Sequence, residues 1–233
     1  MTPEPAYLLH KRPYRETSAL VELLTFHHGR VRAVARGVQR PGSRLRAVLQ
    51  PFAPLHVTWS GSGDLKRLSL MESQGAAAML AGEGLLCGLY ANELLARLLP
   101  VELPVGDVFA FYTAALDALP HPEGRAGTLR RLELSLLEAL DAEPRFGGPD
   151  GQALESQTRY VFDAASRAFV PGERGIDGRT LKLLATGDWN AAGLAGPAKA
   201  VMRAALAPLL GSRPLRSREL MHQLATSRLR RET

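Results

Sequence analysis

Between Gly29 and Phe52 the chain reads "GRVRAVARGVQRPGSRLRAVLQPF", with six arginines and no carboxylate. A guanidinium fork matches two phosphate oxygens at once, so arginines gathered in this way offer phosphate binding. Arg30, Arg32 and Arg36 stand at even spacing. A strand turns alternate residues to opposite faces, which puts these three on one side and Val31, Ala33 and Ala35 on a core-facing side. Arg40, Arg44 and Arg46 follow in a loop broken by Pro41 and Gly42, within reach of the same side. No acidic residue occurs between Glu22 and Asp64. Such a face suits a nucleic-acid backbone; the alternative is a solvated basic surface that only keeps the protein dissolved.

Other chemistry is scarce. No Gly-Lys pair exists, so there is no phosphate loop of the nucleotide-hydrolase kind, and neither a nucleophile elbow nor a dinucleotide fingerprint occurs. His27-His28 lacks a further histidine or cysteine at ligand spacing and reads as a solvated turn. Glu133 and Glu138, five apart, share no helix face and read as solvent-side charges. Cys87, the only cysteine, sits in an apolar stripe and reads as core packing. It excludes an internal disulfide and fits a reducing cytoplasm. No cofactor and no metal are expected. Trp59 and Phe52 read as barrel-core aromatics or as exposed platforms for a base.

The elements that must carry the arginines are short strands. "AYLLHKR" (residues 6–12), "SALVELLTF" (18–26), "RVRAVARG" (30–37), "LHVTWS" (55–60) and "LKRLSLME" (65–72) are separated by His28-Gly29, Pro41-Gly42 and Gly61-Ser62-Gly63-Asp64. Five strands in this length make a small barrel, of the OB type or the SH3-like type. Past Ser73 the periodicity becomes helical: "GLLCGLYANELLARLLP", "GDVFAFYTAALDALP", "TLRRLELSLLEALD", "GPAKAVMRAALAPLLG" and "SRELMHQLATSRLRR". Gly211 is expected to cap the fourth helix and Ser217 to N-cap the fifth. Residues 142–178 form a Gly/Pro-rich insert whose middle, "RYVFDAASRAFVP", is expected to fold into a hairpin. The expected fold class is therefore α+β, a barrel over residues 1–78 followed by a mainly helical domain over 79–233.

Whole-chain numbers agree with this division. The 233 residues are 45% hydrophobic and carry a formal net charge of +6. Residues 1–80 hold 11 Lys+Arg against 5 Asp+Glu, whereas 81–233 hold 18 of each, so the whole excess lies in the barrel third. "MTPEPAYLLHK" lacks the pattern of a signal peptide, and the longest uncharged stretch, 47–63, is broken by two prolines and two glycines. A cytoplasmic location follows as an expectation.

Several blocks together resemble a known family, the RecO recombination mediators, in their proteobacterial branch. They are "LLHKRPYRETSALVELLT", "GRVRAVARGVQRP", "LQPFAPLHVTWSGSGDLKRL", "GLYANELLARLLP", "LRRLELSLLEAL" and "GSRPLRSRELMHQL", in order across most of the chain. The resemblance implies an N-terminal OB fold and a helical C-terminal domain. It also implies binding of single- and double-stranded DNA, annealing of complementary strands, and docking to RecR and to single-stranded-DNA-binding protein (SSB). Together these help load RecA, without catalysis, close to the nucleoid. Within the matching blocks the DNA role falls on Arg12, Arg15, Arg30, Arg32, Arg36, Lys66 and Arg67, while Arg40, Arg44 and Arg46 rest on charge alone. Many relatives carry a four-cysteine zinc module where residues 142–178 stand here; all four cysteines are missing, so the hairpin must be held by Tyr160, Phe162 and Phe169. The helical match implies a pocket for the acidic, apolar C-terminal tail of SSB. Arg130 and Arg131, and the i, i+4 pair Lys199 and Arg203, are its candidate cations or else ordinary surface charges. Two rivals stand beside this reading: an RNA- or ribosome-associated OB protein, and a protein adaptor whose barrel is only solubilising.

Overall fold

Five alternating apolar runs build a closed barrel. The computed structural model describes residues 2–187, 189 and 191–229. Strands β1 (Glu4–Tyr14), β2 (Ser18–Thr25) and β3 (Gly29–Ala35) form an antiparallel meander. After the short helix α1 (Arg44–Val48), strands β4 (Pro54–Ser60) and β5 (Lys66–Ser73) form a hairpin. The sheet order β1-β2-β3-β5-β4 closes where β4 pairs antiparallel with β1. The expected strands and this OB-type topology are present. The arginine loop differs from expectation: residues 44–48 are helical, because Leu45, Val48 and Leu49 pack on the barrel core while Arg44 and Arg46 stay exposed.

Alternation sets the barrel interior. Val31, Ala33 and Ala35 are fully buried with Leu8, Val21, Leu23, Leu55 and Val57. Trp59 and Phe52 are buried as well, so both aromatics are core residues and not base platforms. The seam between β3 and β5 is parallel and short, pairing only Ala33 with Lys66 and Val34 with Arg67. The chain after the next helix extends it. Arg30 bridges Val101 in parallel, and the Glu102 amide donates to the Arg30 carbonyl at 2.9 Å.

Two compact units divide the chain, the first spanning Met1–Pro120 with Leu215–Thr233 and the second His121–Pro214. In the first, α2 (Gly82–Leu98) and α3 (Gly106–Ala118) accompany the barrel. The Asn92 amide donates to the Leu8 carbonyl at 3.3 Å, and the Tyr112 hydroxyl donates to the Asn92 carbonyl at 2.6 Å. Burial holds the Tyr112 phenol far above its ordinary titration range. Tyr7 packs its ring on Phe109 and Tyr112. Helix α7 (Arg216–Leu229) returns to this unit and packs on α2. Ser217 is not its N-cap. It lies inside the first turn, and the cap is the Glu93 carboxylate, which accepts from the Arg216 amide at 2.9 Å, the Ser217 amide at 2.8 Å and the Ser217 hydroxyl at 2.7 Å. Partial burial opposes ionisation of Glu93, yet these bonds and the Arg97 charge outweigh it and hold the carboxyl below its usual range.

The second unit holds α4 (Pro122–Ala139), the hairpin β6 (Arg159–Asp163) and β7 (Ala168–Pro171), the two-residue β8 (Ile176–Asp177), α5 (Gly178–Ala185) and α6 (Ala195–Leu210). Pro122 opens α4 and Gly211, at φ +62°, closes α6 as expected. Helix α5 has no counterpart in the sequence reading. Its apolar periodicity spans only Leu181 and Leu184, and its start is fixed locally by Asp177 accepting from the Thr180 amide at 2.8 Å. Phe169 is fully buried between Phe146 and Phe162, and Phe146 also meets Trp189 edge-on. Tyr160 accepts the Glu155 amide at 2.9 Å. Aromatic packing holds the hairpin, and Phe146 and Trp189 join the expected trio. No group of His, Cys, Asp and Glu among the described residues is arranged to hold a metal ion.

Two outcomes follow for stability. Gly29 lies at φ +62°, and a Cβ built there would sit 1.7 Å from the Leu103 carbonyl oxygen. Gly29→Ala should cost about 2–3 kcal/mol in urea unfolding, whereas Gly63→Ala, with nothing near its Cβ, should stay within roughly 0.5 kcal/mol. Glu93 titrates lower when folded than when unfolded, so its contribution is complete above the unfolded value of about 4.3 and fades as pH falls through the folded one. Glu93→Gln should lower the melting temperature near neutral pH, and the gap from wild type should narrow on acidification; a gap constant with pH would refute the cap.

Candidate nucleic-acid interface

The outer surface of the barrel carries the basic residues in rows fixed by strand register. Arg12 on β1 faces Leu20 on β2, Leu20 faces Val34 on β3, and Val34 faces Arg67 on β5. One row over, His10 faces Glu22 and Glu22 faces Arg32. A shallow groove forms where these rows meet, lined by His10, Arg12, Leu20, Glu22, Arg32 and Leu65. Arg36 leaves the end of β3, and Arg40 lies on the loop beyond it, where the Gln39 amide bonds the Thr17 carbonyl of the β1–β2 turn at 3.0 Å. That bond brings the loop beside Arg15, whose guanidinium lies 5.1 Å from the Tyr14 ring centre. Arg44 and Arg46 stand on α1. Arg46 also depresses Lys11, which burial already pushes down, and the Lys11 ammonium donates to the Leu49 carbonyl at 2.8 Å.

Two of the ten cations expected on this surface are engaged inside the fold. Arg30 is 15% exposed at its side chain. Its Nη1 meets the Glu22 carboxylate at 2.7 Å, and its Nε donates to the Leu99 carbonyl at 2.6 Å. The run of arginines is therefore not wholly without carboxylate partners: the cross-strand neighbour Glu22 supplies one. Lys66 is 7% exposed and pairs with Glu102 at 2.5 Å. Sequence spacing could not find Glu102, which reaches β5 from 36 residues downstream. Arg12, Arg32, Arg36, Arg40, Arg44, Arg46 and Arg67 have no ion pair or side-chain hydrogen bond among the described residues.

The turn beneath this surface also departs from expectation. His27 and His28 are exposed rings, but they clamp the buried Glu4 at the start of β1. The Glu4 carboxylate accepts the His27 amide at 2.5 Å and lies 3.0 Å from His27 Nδ1 and 3.4 Å from His28 Nδ1. Burial opposes ionisation of Glu4, and the histidine hydrogen bonds overcome it and lower its titration.

In the second unit, Arg131, Lys199 and Arg203 are exposed, whereas Arg130 is buried. Arg130 Nη2 meets Glu133 at 2.6 Å, and Glu133 is 2% exposed rather than a solvent-side charge. The reason is the breadth of the buried face of α4, which takes in Leu129, Arg130, Leu132, Glu133, Leu136 and Leu137. Arg130 Nε finds no hydrogen-bond acceptor among the described residues.

Residues 1–76 match the family model described as recombination protein O N terminal, and residues 79–219 match recombination protein O C terminal. The chain is 42% identical over 226 residues to the DNA repair protein RecO of Pseudomonas aeruginosa, covering 93% of each chain. It is 40% identical over 228 residues to the protein of that name from Nitrosococcus oceani, covering 95% of this chain and 93% of the relative. With the Methylococcus capsulatus protein of that name it shares 40% identity over 219 residues.

Burial assigns different outcomes to two adjacent arginines. Arg130→Ala removes the guanidinium from a buried carboxylate and should destabilise the second unit by about 3 kcal/mol. Arg131→Ala should leave denaturation within roughly 0.5 kcal/mol of wild type. Equal effects in a urea titration would contradict the buried pair.

Proposed function

This chain belongs to the RecO family of DNA repair proteins, and from that premise we propose that it acts in DNA repair and recombination as a binding protein rather than a catalyst. Seven arginines without internal partners, spread over one closed barrel, are the observation that carries this reading. DNA would run across the barrel surface on Arg12, Arg32, Arg36, Arg40 and Arg67, with Arg15, Arg44 and Arg46 extending the path. Arg30 and Lys66 would contribute by holding the barrel seam rather than by touching phosphate. Single strands and duplexes both present phosphates to such a surface. Annealing follows from neutralising two polyanions so that complementary bases can meet.

The remaining helices, over residues 79–233, most of which a second family model matches, would serve protein partners. Arg131, Lys199 and Arg203 are exposed cations suited to the acidic C-terminal tail of single-stranded-DNA-binding protein. Arg130 would hold the fold beneath them. RecR is the second proposed partner, and helping RecA onto single strands the outcome. No helix is long and apolar enough to cross a membrane among the described residues, which is compatible with work at the nucleoid.

The test is a salt titration of binding to a single-stranded oligonucleotide. Converting Arg12, Arg32, Arg36 and Arg67 together to Ala should make the slope of log affinity on log salt shallower by about 3, at roughly 0.7 per phosphate contact. Annealing of strands coated with single-stranded-DNA-binding protein should fall in parallel. Lys66→Met should lower stability and leave the slope of the folded fraction in place. An unchanged slope in the folded quadruple variant would remove the barrel surface from the DNA path.

A further inference from the structure

One carboxylate stands among the unpartnered arginines of the barrel surface, where it would repel a passing phosphate. Its orientation is fixed from behind. The Leu99 carbonyl holds Arg30 Nε at 2.6 Å, and Arg30 Nη1 holds Glu22 Oε2 at 2.7 Å. The other oxygen, Oε1, receives no hydrogen bond among the described residues, and Glu22 lines the groove with Arg12, Arg32, Leu20 and Leu65. Leu65 is 45% exposed beside it, a large apolar side chain with nothing covering it.

A bare polyanion fits this groove poorly, because the carboxylate lies in its path. A ligand fits when it joins an anionic end for Arg12 and Arg32 to a flat apolar face for Leu20 and Leu65 and a hydrogen-bond donor for Glu22. An unpaired nucleotide has these three parts. A carboxylate accepts from the N4 amino group of cytosine, whereas thymine offers an acceptor oxygen at that position. In a duplex one N4 hydrogen stays open in the major groove, but both faces of the base are stacked on its neighbours, so laying the base on Leu20 and Leu65 while its amino group meets Glu22 requires a single strand.

We propose that the groove of Arg12, Leu20, Glu22, Arg32 and Leu65 is a single-nucleotide subsite that holds one unpaired cytosine, its phosphate on the two arginines and its amino group on Glu22. The proposal rests on the reading that the barrel carries DNA. It adds a base preference to a surface otherwise governed by charge. Arg30 is a positioning residue for this contact.

Fluorescence anisotropy with single strands of about 12 nucleotides, all cytosine or all thymine, tests it at one salt concentration near neutral pH. The wild-type protein should bind the cytosine strand about fivefold tighter. Glu22→Gln, whose amide can also donate to the thymine oxygen, should bring the two affinities together. Arg12→Ala with Arg32→Ala should weaken both strands and keep their ratio. Wild-type protein with 2-pyrimidinone strands, cytosine without its amino group, gives a reading independent of any folding defect and should lose the fivefold advantage. Equal binding of cytosine and thymine strands by wild type would overturn the subsite and leave barrel DNA binding standing. An advantage that survives removal of the amino group would overturn it also. Absence of binding to either strand would remove the DNA reading and the subsite with it.

Discussion

The guanidinium of Arg30 is the joint on which the barrel surface depends. It donates backward to the Leu99 carbonyl and sideways to Glu22, while the Arg30 backbone carbonyl accepts from the Glu102 amide. The parallel seam of β3 with β5 pairs only two residues a side, so without the segment from Leu99 to Leu103 the lower edge of β3 would lie open. Gly29 lets that segment approach, because any side chain there would meet the Leu103 carbonyl. Lys66, at the start of β5, is neutralised by Glu102 from the same segment. Closure of the barrel is thus tied to the segment after α2, well beyond the barrel's last strand.

This arrangement sorts the cations into two kinds. Those at the seam are spent on internal carboxylates and carbonyls, where a buried charge without a partner would be costly. Those on the outward rows and on the loop and short helix after β3 stay in solvent, where mutual repulsion is screened. A surface of the second kind can bind a polyanion by releasing counterions at small conformational cost. Glu22 belongs to both groups at once, with one oxygen in the seam and the other at the groove.

The second unit follows a different logic. Here Phe146, Phe162, Phe169 and Trp189 pack ring against ring into an aromatic core, with Tyr160 also buried. Burial of these rings supplies the cohesion of the hairpin. The pair of Arg130 and Glu133 sets a buried ion pair in the mostly apolar face of α4, where either charge without the other would be costly.

Period and punctuation determined the barrel. Strict alternation around Val31, Ala33 and Ala35 and the turn residues between strands placed all five strands to within a few residues. Helical spacing found α2, α3, α4, α6 and α7, and Gly211 marked an end. The sequence also located the basic surface, since charge on alternate strand positions needs no partner to be legible. It could not find α1 or α5, which are too short, at five and eight residues, to repeat an apolar period. Nor could it tell which arginines are free. That distinction was decided in three dimensions, by Leu99 and Glu102 arriving at the seam and by the burial of both Arg130 and Glu133. Glu93 in place of Ser217 as the cap of α7 is the same lesson at 123 residues' separation. Local patterns are written in neighbouring residues, whereas ion pairs and caps between distant segments exist only once the chain has folded and brought them within hydrogen-bonding distance.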